Sequence, residues 1–302
     1  MEWQFILMTS AIGFFAGVFG GMLGIGGSII MIPLLTLVHG PNQQLYQAAA
    51  MIVNVPVAAS ATIKHAIKRV IKASVVRALL PTALVGIVLG VTLSNLISTD
   101  WLQIVFAVFL GYIGISELFR LVSNHEHIKD VPTSPETTPP RLRIPLIGGF
   151  NGIIAGLLGI GGGVILIPLL RRFCKLDMKT AIAASSMTML ITATVGATYK
   201  NLALPELSAP DGTPLEIGQS LLIAGAMFPT AFIGSYIGAG LTHRLPIQSI
   251  KLVFAILVLI AAIRMGWMTT QESLAPSPEM PGVKQIEPKD NVDLKAAGPV
   301  LP

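Results

Sequence analysis

From Trp3 to Ile63 the chain carries no Asp, Glu, Lys or Arg. A surface facing water needs charge far more often than that, because these are the residues proteins keep outside. The segment is therefore solvated by something other than water. The rest of the chain agrees: 53% of its 302 residues are hydrophobic and 12% are charged, where soluble domains carry about 25% charged residues. The expected fold is an all-α polytopic membrane protein. Glu2 stands where a cleavable signal peptide would carry a Lys/Arg cluster, so the first apolar stretch reads as mature protein. The single Cys174 excludes an intramolecular disulfide and a cysteine-based metal cluster. The net charge of +5 is read as membrane topology, with no nucleic-acid partner.

Eight uncharged apolar segments follow one another, at roughly 5–39, 45–63, 78–99, 101–116, 144–170, 180–199, 217–242 and 252–263. A straight helix needs about 20 residues to cross the bilayer, so 5–39 and 144–170 are too long for one span. Each is interrupted by a glycine cluster. The two match at an offset of 135: Gly24-Ile25-Gly26-Gly27-Ser28 meets Gly159-Ile160-Gly161-Gly162-Gly163, and Ile32-Pro33-Leu34-Leu35 meets Ile167-Pro168-Leu169-Leu170. The match returns at an offset of 148, where Pro81-Thr82-Ala83, Gly86 and Gly90 meet Pro229-Thr230-Ala231, Gly234 and Gly238. The chain is an internal duplication with one loop insertion around Asn201–Thr213, a pattern found in many secondary transporters. The expected organisation is a first transmembrane repeat at 1–120, a cytoplasmic linker at 121–143, a second repeat at 144–267 and a polar Pro-rich tail at 268–302.

Lys64, Lys68, Arg69, Lys72 and Arg77 lie together without an acidic residue, which places that connection in the cytoplasm. Counting spans onward, the basic loop at Arg171–Lys179 is also cytoplasmic only if 144–170 enters the membrane and returns. Equivalent loops of the halves then face opposite sides, so the repeat is expected to be inverted, each half a broken helical hairpin plus three spans. His243-Arg244 falls inside and both termini outside.

Backbone groups freed by a break at membrane depth are tolerated only beside protein or a water-filled cavity. A helix restarting after the break presents free N–H donors and a positive dipole end, which suits an anion. Gly24, Gly26, Gly27 and Ser28, with Gly159, Gly161, Gly162 and Gly163, are therefore the candidate substrate-binding residues, and Pro33 and Pro168 are expected as helix breakers or kinks. Glycines spaced by four (Gly13, Gly17 and Gly21; Gly148, Gly152 and Gly156) read as close helix packing. Within the spans, Asn54, Ser185, Ser186 and Thr188 could hydrogen-bond a small oxyanion, although any single Ser or Thr can equally satisfy its own helix. Lys64, His65 and Lys200 end spans and read as basic groups at the mouths of a path, or as ordinary interfacial residues. Glu117 and Arg120 form a local i, i+3 pair. No cofactor or metal site is expected, since His125-Glu126-His127 matches no zinc spacing, and no hydrolase or nucleotide fingerprint is present.

These duplicated Gly-rich breaks followed by Ile-Pro-Leu-Leu, the Ala/Ser-rich segment after them and the Pro-Thr-Ala helix with Gly-x-x-x-Gly resemble the sulfite exporter TauE/SafE family, over roughly residues 5–267. The resemblance implies a multi-pass protein of the bacterial inner membrane that moves sulfur-containing or organic anions of the sulfite, sulfoacetate and thiosulfate class. An anion channel is the alternative, and an intramembrane enzyme or assembly factor a distant one. Expected partners are a small anion and the lipid bilayer.

Overall fold

The computed structural model describes residues 2–122, 143–210, 212–241 and 247–274. The linker, the tail beyond 274 and His243-Arg244 therefore lie outside the described residues. The eight apolar segments become ten helices, because both long ones are divided: α1 Glu2–Leu23, α2 Ser28–His39, α3 Gln43–Ile67, α4 Ala73–Leu96, α5 Thr99–Val122, α6 Arg143–Leu158, α7 Gly163–Cys174, α8 Met178–Ala203, α9 Ile217–Leu241 and α10 Ile247–Leu274. Seven of them, all but α2, α6 and α7, are long and apolar enough to cross a membrane. Among the described residues no strand forms beyond an isolated bridge between Ser208 and Pro214. The protein is an all-helical membrane protein. Large apolar side chains point outward along its spans, among them Leu89, Tyr112, Phe119, Phe232 and Ile260, as lipid solvation requires.

α2 turns back alongside α1. Its last residue, His39, sits 3.0 Å from Thr9 Oγ1 and stacks on Phe5 with ring centroids 4.3 Å apart, both near the start of α1. In the second half Cys174, at the end of α7, shares a cluster with Ile144 at the start of α6. Each glycine break is thus the tip of a hairpin. The helices do not break at proline: Pro33 and Pro168 lie inside continuous α2 and α7. Proline removes one hydrogen bond and crowds the preceding turn, but the glycines upstream have already ended the preceding helix. The insertion separating the two repeat offsets is the α8–α9 connection, Leu204–Glu216, against Lys68–Lys72 between α3 and α4.

The halves interlock. α1 packs along α9, and its counterpart α6 packs along α4. Both pairings are parallel and glycine-mediated: Gly13, Gly17 and Gly21 face Met227, Ala231 and Ser235, while Gly148, Gly152 and Gly156 face Leu79, Ala83 and Ile87. A Cβ on Gly17 would collide with the Ala231 carbonyl, and one on Gly152 with the Ala83 carbonyl. Small residues on both faces let the backbones approach. The counterparts α3 and α8 instead run antiparallel, with Gln44 and Ala48 beside Lys200 and Asn201 and Met51 beside Gly196. α5 and α10 do the same, through Gln103 bonded to the Met265 carbonyl at 3.3 Å and Gly114 against Leu259.

The glycine seams give a first prediction. Gly17→Ala and Gly152→Ala should each lower the melting temperature of detergent-purified protein, since overpacking costs about 1–3 kcal/mol. Gly111→Ala, with nothing within 4 Å of the added methyl, should leave it unchanged. Equal behaviour of all three would remove the packing role.

Candidate functional site: the paired glycine breaks

The two hairpin tips meet at the crossing of α3 and α8, and all of Gly24, Gly26, Gly27, Gly159, Gly161, Gly162 and Gly163 are buried. The chain can turn there because Gly24, Gly26, Gly159, Gly161 and Gly162 have φ of +67°, +84°, +70°, +69° and +87°, values that side chains with a Cβ rarely take. Contact between the tips is direct: a Cβ on Gly163 would stand 3.0 Å from the Gly24 carbonyl oxygen, and one on Gly26 would stand 3.5 Å from that of Ile160. Between them lie Asn54 of α3 and Met189 of α8, themselves related by the 135-residue offset. Each would touch a Cβ on Gly26 or on Gly161.

The two tips are not chemically equivalent. Asn54 Oδ1 accepts from the backbone N–H of Gly27 (3.2 Å) and of Ser28 (3.3 Å), and its Nδ2 donates to Ser28 Oγ at 2.9 Å. It therefore caps α2 from a neighbouring helix, occupying the donors that an anion would otherwise reach. Among the described residues no side chain accepts from the first N–H groups of α7 as Asn54 does at α2, because Met189 stands where Asn54 does in the first half. The amide beside that end is Asn151 of α6, at the repeat position of Ala16. A Cβ on Gly162 would stand 2.5 Å from its Nδ2. Asn151 is 2% exposed and its Oδ1 has no hydrogen-bond partner.

Of the other candidates on α8, Ser186 donates to the Ile182 carbonyl at 2.9 Å and Thr188 to that of Ala184 at 2.8 Å, so both satisfy their own helix. Ser185 Oγ is buried without a partner. On α3, Gln47 packs over Gly159 and donates to the Leu157 carbonyl at 3.3 Å, leaving its Oε1 unpaired, and both polar atoms of buried Gln43 are unpaired. Gln43, Gln47 and Asn151 did not emerge from the sequence reading. Asn151 was accessible to the argument that selected Asn54: a side chain with several hydrogen-bonding sites inside an uncharged span.

The basic groups separate. Lys64 Nζ donates to the Tyr236 carbonyl at 2.9 Å and sits 4.0 Å over the Tyr236 ring, with His65 half-buried beside it. Lys200 is not at an open mouth: it is fully buried, bonded to Gln44, Ser94 and Asn95. Glu117 pairs with Arg120 and also with Lys251 of α10, each at 3.6 Å. Among the described residues no three His, Cys, Asp or Glu side chains are grouped as a metal site.

Two broken hairpins meeting tip to tip inside a bundle of long apolar helices define a polytopic membrane protein. The family model for the sulfite exporter TauE/SafE matches residues 9–265, and the chain belongs to that family. Curated relatives include a probable membrane transporter protein of Haemophilus influenzae, 26% identical over 278 residues, which cover 86% of this chain and 98% of that one. A probable membrane transporter protein of Methanocaldococcus jannaschii is 27% identical over 206 residues, covering 65% and 73%. The probable membrane transporter protein MamO of Paramagnetospirillum magneticum is 25% identical over 281 residues, covering 83% of this chain and 42% of MamO. The chain thus spans about two fifths of the MamO relatives it matches. No solved structure matches it.

The asymmetry of the tips gives a second prediction. Gly27 has φ −88°, and its added Cβ would meet first the far end of the flexible Met31 side chain, at 2.5 Å, and then the Ala16 carbonyl oxygen at 3.3 Å. Gly27→Ala should therefore melt near the wild-type temperature. Gly162→Ala adds left-handed strain of about 1–2 kcal/mol and a collision with Asn151, and Asn54→Ala leaves two buried N–H groups unpaired at about 1–3 kcal/mol each. Both should melt lower, and thermal unfolding in detergent ranks the three.

Proposed function

We propose that the protein is a secondary carrier of small anions, with sulfur oxyanions and organosulfonates the class to try first, working by alternating access across the bacterial inner membrane. The observation carrying this reading is the meeting of two buried helix restarts at one place between antiparallel counterpart helices. Helix N-termini favour anions, and broken helices at a repeat interface are where secondary carriers hold their substrates. We place the substrate at the uncapped start of α7, against Gly161, Gly162, Gly163, Asn151 and Ser185. Gly24, Gly26, Gly27, Ser28 and Asn54 form the opposing wall, held rigid by the cap. Gly159 sets the second turn, while Ser186 and Thr188 support α8 behind it.

In this reading the repeat is inverted and both ends are closed. Ser60 Oγ and Ser235 Oγ, 2.8 Å apart, and Lys64 on Tyr236 tie α3 to α9 at one end. Lys200 ties α8 to α3 and α4 at the other. Two cavities, about 840 Å³ beside His39 and Asn42 and about 460 Å³ beside Gln44 and Asp100, both lie at the Lys200 end, share Ala209 and Pro210, and are not lined by the break glycines. In this reading the central site is enclosed, which favours a carrier over a channel, since a channel needs a continuous polar lining.

Two measurements test this. In proteoliposomes offered sulfite, thiosulfate and sulfoacetate, a carrier gives saturable counterflow exchange and a channel gives unsaturating conductance, and silence for all three anions would remove the substrate class. Val70→Cys and Pro205→Cys should label from opposite sides of the membrane. Labelling from one side would remove the inversion.

A further inference from the structure

Lys200 is 0% exposed near the end of α8. Its Nζ donates to Gln44 Oε1 of α3, to Ser94 Oγ of α4 at 2.7 Å and to Asn95 Oδ1 of α4 at 2.7 Å. Three N–H groups thus meet three neutral oxygens, and among the described residues no carboxylate lies within ion-pair distance of Lys200. A cation buried in a membrane protein without a counter-charge is costly and marks function more often than structure. Two amides of this cage, Gln44 and Asn95, also line the cavity of about 460 Å³, whose lining includes Asp100 and Glu206. Two carboxylates at an entrance repel anions and attract cations, so this cavity suits a proton better than the substrate.

We propose that Lys200 is the proton-carrying residue, loaded from the acid-lined cavity, and that transport is a proton–anion symport. This rests on the carrier reading above. The nitrogen lone pair of Lys200 takes a proton from cavity water at one stage of the cycle and returns it to water on the other side at another, so no further reactant is needed. The cage counts the proton. An ammonium has three N–H groups for its three acceptors, whereas an amine has two and leaves one acceptor unbonded, so the closed tie between α3, α4 and α8 is complete only when protonated. The charge that protonation adds is uncompensated within the cage. An anion at the breaks, about 16 Å away along α8 at about 1.5 Å per residue, offsets part of that charge through the low-dielectric bundle, so closure is more favourable with both aboard than with the proton alone. Around this end of α8 the other ionisable groups among the described residues are Tyr199 on α8, Tyr46 on α3, Asp100 at the start of α5, Glu206 after α8, Glu216 before α9 and His39 at the end of α2, while Arg77 of α4 and Tyr236 of α9 lie at the far ends of their helices.

The test uses proteoliposomes with sulfite, thiosulfate and sulfoacetate in turn, each corrected with protein-free liposomes. One pH unit across the membrane should drive up to about tenfold accumulation per coupled proton in the wild type. In Lys200→Arg, whose guanidinium keeps the cage donors but cannot release a proton, and in Lys200→Met, the ratio of uptake with and without the gradient should fall to one. Wild-type exchange that ignores the gradient overturns the proposal, and so does a gradient response surviving in either variant. A Lys200→Arg protein that melts like the wild type yet exchanges nothing also overturns it, making Lys200 a binding residue. If no anion exchanges in the wild type, the carrier reading itself falls, and the coupling with it.

Discussion

Every feature of this molecule follows from the need to give partners to backbone groups freed inside an apolar bundle. A peptide N–H left unpaired in hydrocarbon costs several kcal/mol, and two glycine turns free several of them at once. The first tip meets the cost with Asn54, a side chain from another helix whose oxygen takes two N–H groups together. For Asn54 to reach it, α3 must cross beside the tip. α8 crosses beside the second tip for the same geometric reason, because it is the same element repeated. The crossing of α3 and α8 is therefore the structural centre, where Asn54 and Met189 each reach both tips.

Duplication explains the pairing of helices, and divergence explains the chemistry. Glycine stripes on α1 and α6 are repeat equivalents, so each packs along the other half's long glycine-bearing helix. Neither half can bury its hairpin without the other. Against that shared frame, the differing residues stand out: Asn54 against Met189, Ala16 against Asn151, Ser28 against Gly163, and His65 against Lys200. The first three exchanges each remove a polar group from one half-site or add one to the other, while His65 and Lys200 are both basic and lie at the ends of their helices. The first tip is internally satisfied through Asn54, while Asn151 beside the second keeps an unpaired Oδ1.

Much of the fold was legible because lipid simplifies sequence. Charge-free runs mark spans, an over-long run with clustered glycines marks a hairpin, and the offset between Gly24–Ser28 and Gly159–Gly163 marks the duplication. Proline as a breaker misled at Pro33 and Pro168, since a lost hydrogen bond in the second turn of a short helix weakens it without ending it. Which helices pair could not be read, because the α1–α9 and α4–α6 contacts join residues far apart in the chain and depend on how the whole bundle closes. Within the site, the glycines were visible as a pattern, whereas the cap on α2 was not. Nothing in the local sequence of Asn54 says that its oxygen is spent on Gly27 and Ser28.

Lys200 shows the same limit from the other direction. A lysine closing an apolar run next to a tyrosine has the sequence signature of an interfacial residue whose head group reaches water. What prevents this here is supplied from elsewhere: α8 continues to Ala203, and Gln44, Ser94 and Asn95 close over the ammonium from α3 and α4. Lys64 at the end of α3, the counterpart helix, keeps its ammonium at the surface on the Tyr236 carbonyl and ring. The two ends of the molecule are thus tied by the same residue type in different dielectric settings. A tie made in water is indifferent to the charge elsewhere in the bundle, because solvent screens it. A tie made in the dry interior responds to any charge that enters or leaves the breaks, and that difference gives the two ends different energetics.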